Sequence, residues 1–215
     1  MRRSPTCART ARSRGTGLST RPAAWSRCSR RPRFAEWAAA AIGQARIDPW
    51  DGAAPLVLTE SRSLAGVLRQ SAYRYAVPIA STNGQTGGFL HTKVAPEITA
   101  GQQVIYLGDL DLAGGHIEAN TRRVLEECTG SLEWERLAVT HDQVAEHGLP
   151  TIVKHDRRYK DGHPHEAVET EALSQALIVE LLTAELDGLL PEPLEAVQVR
   201  ERAERAEVRA RLNGS

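Results

Sequence analysis

Two carboxylates set two residues apart, Asp109 and Asp111, follow a short apolar run, Val104-Ile105-Tyr106-Leu107, and precede Gly114 and Gly115. An apolar run bounded by Gln103 and Gly108 reads as a strand covered on both faces, as in a parallel sheet. Open α/β sheets bind their ligands beyond the carboxyl ends of the strands. In extended chain, residues i and i+2 turn to the same side, so Asp109 and Asp111 can face one point. Like charges repel there unless a cation or a proton lies between them. Hard oxygens of this kind suit Mg²⁺, with Mn²⁺ as a substitute. The same spacing also fits a capped turn, with Asp111 as the N-cap of the next helix. A third acid, Glu60, ends an earlier apolar run, Pro55-Leu56-Val57-Leu58-Thr59. If the two strands are parallel, Glu60, Asp109 and Asp111 meet at one edge of the sheet. That set could hold one or two Mg²⁺, position a phosphodiester and activate a nucleophile. Glu60 could also act as general acid or base if its neighbours raise its pKa.

Elements that would position these acids can be read around them. Residues 34–47 suggest a short Ala-rich helix, broken by Asp48-Pro49-Trp50-Asp51-Gly52. Strands are expected at 55–59, 76–80, 104–107 and 136–140, the second at an edge because of Pro78. Ser61 is a candidate N-cap, with Leu64, Val67, Leu68 and Ala72 at helical spacing after it. Residues 81–88 are a loop of small polar residues, and a short helix is expected at 89–94. An amphipathic helix is expected at 115–127 and a short one at 142–147, ended by Gly148-Leu149-Pro150. Residues 151–164 look irregular and polar, with the chain helical from His165 until Pro191 and Pro193 break it. A charged helix over 194–212 follows. Strands alternating with helices imply parallel βαβ units. The expected fold is therefore α/β, about four short parallel strands flanked by helices, with C-terminal helices. The domain limits read as a tail over 1–34, a short helix and linker over 35–54, the α/β domain over 55–190 and a charged helix over 191–215.

The zero net charge of the 215 residues hides an asymmetry. Ten of the 27 Lys and Arg fall in residues 1–34, which hold no acid, leaving 17 against 27 Asp and Glu in residues 35–215. An acidic body argues against a broad nucleic-acid surface, so any DNA contact needs a local basic patch, metal ions or the tail. The Arg-, Ser- and Pro-rich tail lacks apolar periodicity and reads as disordered. Cys7, Cys28 and Cys128 are scattered without metal-ligand or disulfide-framework spacing, which points to a reducing, cytoplasmic setting. No stretch reaches the roughly 18 apolar residues of a membrane span.

Strand-Glu60-helix followed by strand-Asp109-x-Asp111-x-x-Gly114 resembles the Toprim domain. Within that group the phrase from Val104 to Gly114 is most similar to the topoisomerase VI A subunit and its meiotic double-strand-break relatives. Gly148-Leu149-Pro150 with Lys154 and Asp156-Arg157, and Glu169-Thr170-Glu171-Ala172-Leu173, extend the resemblance, which covers about residues 55–180. It implies Asp109 and Asp111 as Mg²⁺ ligands, Glu60 as ligand or general acid/base, and Gly114 as the residue that permits the turn. It implies Lys154 and Arg157 as phosphate contacts. Those relatives carry a nucleophilic Tyr on an upstream winged-helix domain, whereas the first Tyr here is Tyr73, and Ser61 stands where many Toprim proteins have a basic residue. The implied function is Mg²⁺-dependent topoisomerase- or nuclease-like phosphodiester chemistry on DNA, as a component of a larger system. A Tyr-bearing or ATPase partner subunit and homo- or hetero-oligomeric assembly go with it. The alternatives are a non-catalytic module of the same fold serving a partner that supplies the Tyr, and a phosphotransferase acting on a small molecule.

Overall fold

The computed structural model describes residues 33–83, 88–154 and 165–213. Contacts divide the chain into two units, residues 1–41 and 42–215. The expected tail falls outside the described residues up to residue 32. A first helix, α1, covers Phe34–Gln44, three residues shorter than the sequence suggested.

Four strands form one all-parallel sheet in the order β2-β1-β3-β4. They are β1 (Leu56–Thr59), β2 (Ile79–Ser81), β3 (Gln103–Leu107) and β4 (Glu133–Ala138). β1 lies between β2 and β3, with Val57 opposite Ile79 on one side and Ile105 on the other. The side-chain alternation of extended chain splits each central strand between two cores. Val57, Ile105 and Leu107 face a cluster built with α2 (Arg62–Arg74) and α5 (Gln175–Leu189), through Leu64, Leu68, Ala72, Ile178, Leu182 and Leu186. Leu56, Leu58, Val104 and Tyr106 face a second cluster with Leu90 and Val94 of a π-helical turn and with Val124 and Leu125 of α3 (Leu112–Thr129). The sheet is thus covered on both faces, which is why its central strands read as unbroken apolar runs.

Several boundaries differ from the sequence reading. β2 starts at Ile79 rather than at 76, because Pro78 has no N–H for the ladder and Ala76 takes a positive φ of 54°. β4 starts at Glu133 rather than at 136, with the pairing shifting after Tyr106–Arg136 so that Leu107 meets Ala138. α3 begins at Leu112, three residues earlier than expected, because Asp111 caps it. A helix α4 (His141–His147) has Thr140 and Gln143 as a capping box and ends on left-handed Gly148.

The largest correction lies beyond Gly148. The stretch expected to be irregular and then helical holds an antiparallel strand pair, β5 (Ile152–Lys154) with β6 (His165–Ala167). A 3₁₀ turn, Thr170–Ala172, follows before α5. These strands are three residues long and only one of their residues, Ala167, is buried, so neither apolar alternation nor burial marks them in the sequence. The last helix, α6, covers Leu194–Asn213. Among the described residues no helix is long and apolar enough to cross a membrane.

Candidate functional site

The carboxyl end of β1 runs into Glu60, whose N–H donates to the Leu107 carbonyl at 2.9 Å, so the two strand ends stay in step. Next to it, the Asp109 N–H donates to Glu60 Oε2 at 3.0 Å. The parallel register expected from the sequence therefore places Glu60 beside the start of the Asp-x-Asp turn. Gly108 is fixed by the same closeness. A Cβ on it would lie 2.8 Å from the Tyr106 hydroxyl and 2.9 Å from Glu60 Oε2.

Asp109 and Asp111 are held differently. Asp109 Oδ1 accepts from both the N–H and the hydroxyl of Thr170, each at 2.9 Å. Asp111 caps α3, with Oδ1 accepting from Gly114 N–H at 2.6 Å. Its Oδ2 accepts from Lys154 Nζ at 2.8 Å, and Lys154 also lies 3.6 Å from Glu169. So the capping reading of Asp111 describes its geometry, and the cation it meets is an ammonium. Gly114 has the ordinary helical hand. What it supplies is room, since a Cβ there would stand 2.3 Å from the Asp109 carbonyl oxygen.

Electrostatics tie the three acids together. Burial pushes the Glu60 carboxyl above the usual carboxylate range. The Asp109 N–H pulls it back, and the Asp109 and Asp111 charges push it up again. Burial would also raise Asp111, but the Gly114 N–H and the Lys154 ammonium outweigh it and hold that carboxyl below its ordinary value. The Lys154 ammonium is in turn held above its ordinary value, chiefly by its hydrogen bond to Asp111.

A cleft of about 380 Å³ opens over this edge, lined by Glu60, Ser61, Asn83, Asp109, Glu169, Thr170 and Glu171. Asp111 is not part of its wall. Among the described residues no group of three or more His, Cys, Asp or Glu side chains is close enough to hold a metal ion. The pair Glu60 and Asp109 still fits Mg²⁺. Each keeps one oxygen without a hydrogen bond among the described residues, and that ion is commonly held by one or two carboxylates plus water and substrate phosphate.

Lys154 stands at the end of β5, next to Asp111 rather than over the cleft, and Arg157 lies outside the described residues. Two residues important to the geometry carry little sequence signal. Thr170 sits in a turn that reads as the start of a helix. Arg136, a charge at the head of an apolar run, is the more readable of the two. Its guanidinium donates to the carbonyls of Gly108 at 3.0 Å, Val139 at 2.8 Å and Asp109 at 3.3 Å, and pairs with Glu118 at 2.8 Å. It also lies over the Tyr106 ring, 5.5 Å from its centre. It clamps the acid turn from behind. Tyr106 itself is fully buried, as expected of a core strand residue, and its hydroxyl has no partner among the described residues. No protein-family model, no curated protein and no solved structure matches this chain.

Proposed function

We propose that the chain performs Mg²⁺-dependent phosphodiester chemistry on DNA, of the topoisomerase or nuclease kind, as part of a larger assembly. The observation that carries this reading is the Glu60 carboxyl, half-buried beside two further acids at the edge of a parallel sheet, where it accepts from the Asp109 N–H and is pushed toward its protonated form. The resemblance of strand-Glu60 and strand-Asp109-x-Asp111 to the Toprim domain supports the same substrate class. Glu60 and Asp109 would hold the Mg²⁺, which when bound supplies charge neutralisation at the phosphoryl oxygens. Alternatively, with the ion on Asp109 and water, Glu60 would take or give a proton, since burial and the neighbouring acids raise its pKa above the ordinary value. Thr170 orients Asp109, and Arg136 fixes the turn that carries it. Lys154, released from Asp111, would contact phosphate and free Asp111 as a third acid. The scattered cysteines favour a cytoplasmic setting.

A second reading rests on the tyrosines. Tyr75 and Tyr106 are buried, and no Tyr lines the cleft among the described residues. A non-catalytic module, paired with a Tyr-bearing or ATPase subunit, would need none. Plasmid nicking with Mg²⁺ or Mn²⁺ separates the two. Metal-dependent nicking lost in Glu60→Gln and Asp109→Asn supports the enzyme. If wild type fails to nick at any metal concentration, the module reading stands instead. Calorimetric titration with Mg²⁺ tests the ion directly, and equal binding by wild type and Asp109→Asn would remove it.

A further inference from the structure

Beside the acid cleft, sharing Asn83 with it, lies a second cavity of about 430 Å³ whose lining includes Arg62, Arg69, Thr82, Asn83 and Phe89. This volume is in the range of small-molecule sites, about 300–1,000 Å³. Arg62 and Arg69 stand seven residues apart on α2, two helical turns, so they leave the same face. Both are exposed, and neither has an ion pair or hydrogen bond among the described residues. Among the described residues no Asp or Glu lines this cavity, although acids outnumber bases 27 to 17 over residues 35–215. Thr82 is only 2% exposed, and its hydroxyl has no hydrogen-bond partner among the described residues. Lying below the surface, that hydroxyl closes the wall of the cavity and is not itself open to a ligand. Phe89, on the cavity wall, is 41% exposed, so part of its ring is open to solvent.

Two exposed guanidinium groups, an amide and a partly exposed aromatic ring suit a phosphate joined to a planar ring. Guanidinium groups grip phosphate oxygens in pairs, and an aromatic face stacks on any base. We propose that the pocket binds one phosphorylated nucleoside unit, its phosphate between Arg62 and Arg69 and its base against Phe89. The unit is either a free nucleotide or one residue of a single strand. In the second case the adjoining phosphodiester reaches Glu60 and Asp109 past Asn83, and to that extent the inference rests on the function proposed above.

Binding of fluorescein-labelled oligo-dT to the full chain, followed by anisotropy in EDTA, reads the pocket without metal. Arg62→Ala/Arg69→Ala should weaken binding at least tenfold. It should also flatten the plot of log affinity against log salt by about 0.7 for each phosphate no longer neutralised. Phe89→Ala should cost about tenfold with the salt slope unchanged. Displacement of the label by a mononucleotide identifies the free nucleotide as ligand, and displacement only by unlabelled oligo-dT identifies the strand. Orthophosphate competing as well as a mononucleotide would remove the base from the proposal. Unchanged affinity and slope in the double arginine variant, with its melting temperature intact, would overturn it. Nicking in Mg²⁺ is scored separately. Arginine-dependent binding without nicking defeats the enzyme reading alone, while nicking and binding that ignore both arginines defeat the pocket alone.

Discussion

The acid cleft and the arginine pocket lie side by side at one sheet edge and share Asn83, yet they carry opposite charge. They are also held differently. Around the acid turn, the cleft's Asp109 and Glu60 are tied to Thr170 and the Asp109 N–H, and Asp111 behind it to Gly114 and Lys154. In the pocket, the two arginines are tied to nothing among the described residues. The acids are therefore part of what holds the fold together as well as a candidate chemical site, whereas the arginines are free of structural duty. Substitution should separate these two roles, with large stability effects on the acid side and small ones on the basic side.

The largest effect is expected at Gly114. A Cβ 2.3 Å from the Asp109 carbonyl forces backbone to move, so Gly114→Ala should lose about 3 kcal/mol in urea unfolding. Asp111→Ala removes a helix cap and leaves Lys154 without its closest partner, at a cost of about 2 kcal/mol. Asp111→Asn keeps the cap and should lose less. If both lose equally, the cap is not what Asp111 contributes. Lys154→Met should cost under about 1 kcal/mol, because the lysine is partly exposed. Its pH dependence sharpens the point. Asp111 titrates below its ordinary value, so its contribution is whole above about pH 4 and drains away as pH falls through the folded pKa. Lys154 titrates above its ordinary value, so its share persists below about pH 10 and is lost as pH rises through the folded pKa.

Glu60 should show the opposite sign. Its raised pKa means that the ionised form opposes folding, so its contribution is most favourable at low pH and falls as pH rises through the folded value. Glu60→Gln should therefore melt slightly above wild type at pH 7, with the gap closing below about pH 4. Added Mg²⁺ should narrow the same gap at pH 7 by stabilising wild type alone. Thermal scans of both proteins, with and without the ion, check this, and identical melting at pH 7 would contradict it. The smallest effect belongs to Arg62→Ala/Arg69→Ala, expected within about 0.5 kcal/mol of wild type in urea.

Much of this edge was legible because local chemistry and fold agree there. The apolar run into Asp109-x-Asp111, the acid closing the previous run and the Ser61 cap follow from residue type and spacing. The parallel sheet follows from the alternation of strands and helices. What stayed hidden depends on groups far along the chain. Nothing near Asp109 announces Thr170, and three-residue exposed strands such as β5 and β6 leave no periodic trace. The capping role of Asp111 was readable from spacing. Only the position of Lys154 shows how its second oxygen is engaged. The arginine pocket was invisible because α2 and the end of β2 converge only through the sheet.

Leu110, between the two aspartates, exchanges backbone hydrogen bonds with Val168, at 2.8 and 3.1 Å, and Thr170 then seizes Asp109. The four sheet strands are all made before residue 139, but the turn bearing the acids is completed by chain emerging some thirty residues later. The sheet strands alone therefore cannot complete the acid turn, and since α5, which covers one sheet face, comes later still, a ligand of that turn reports on chain well beyond the strands.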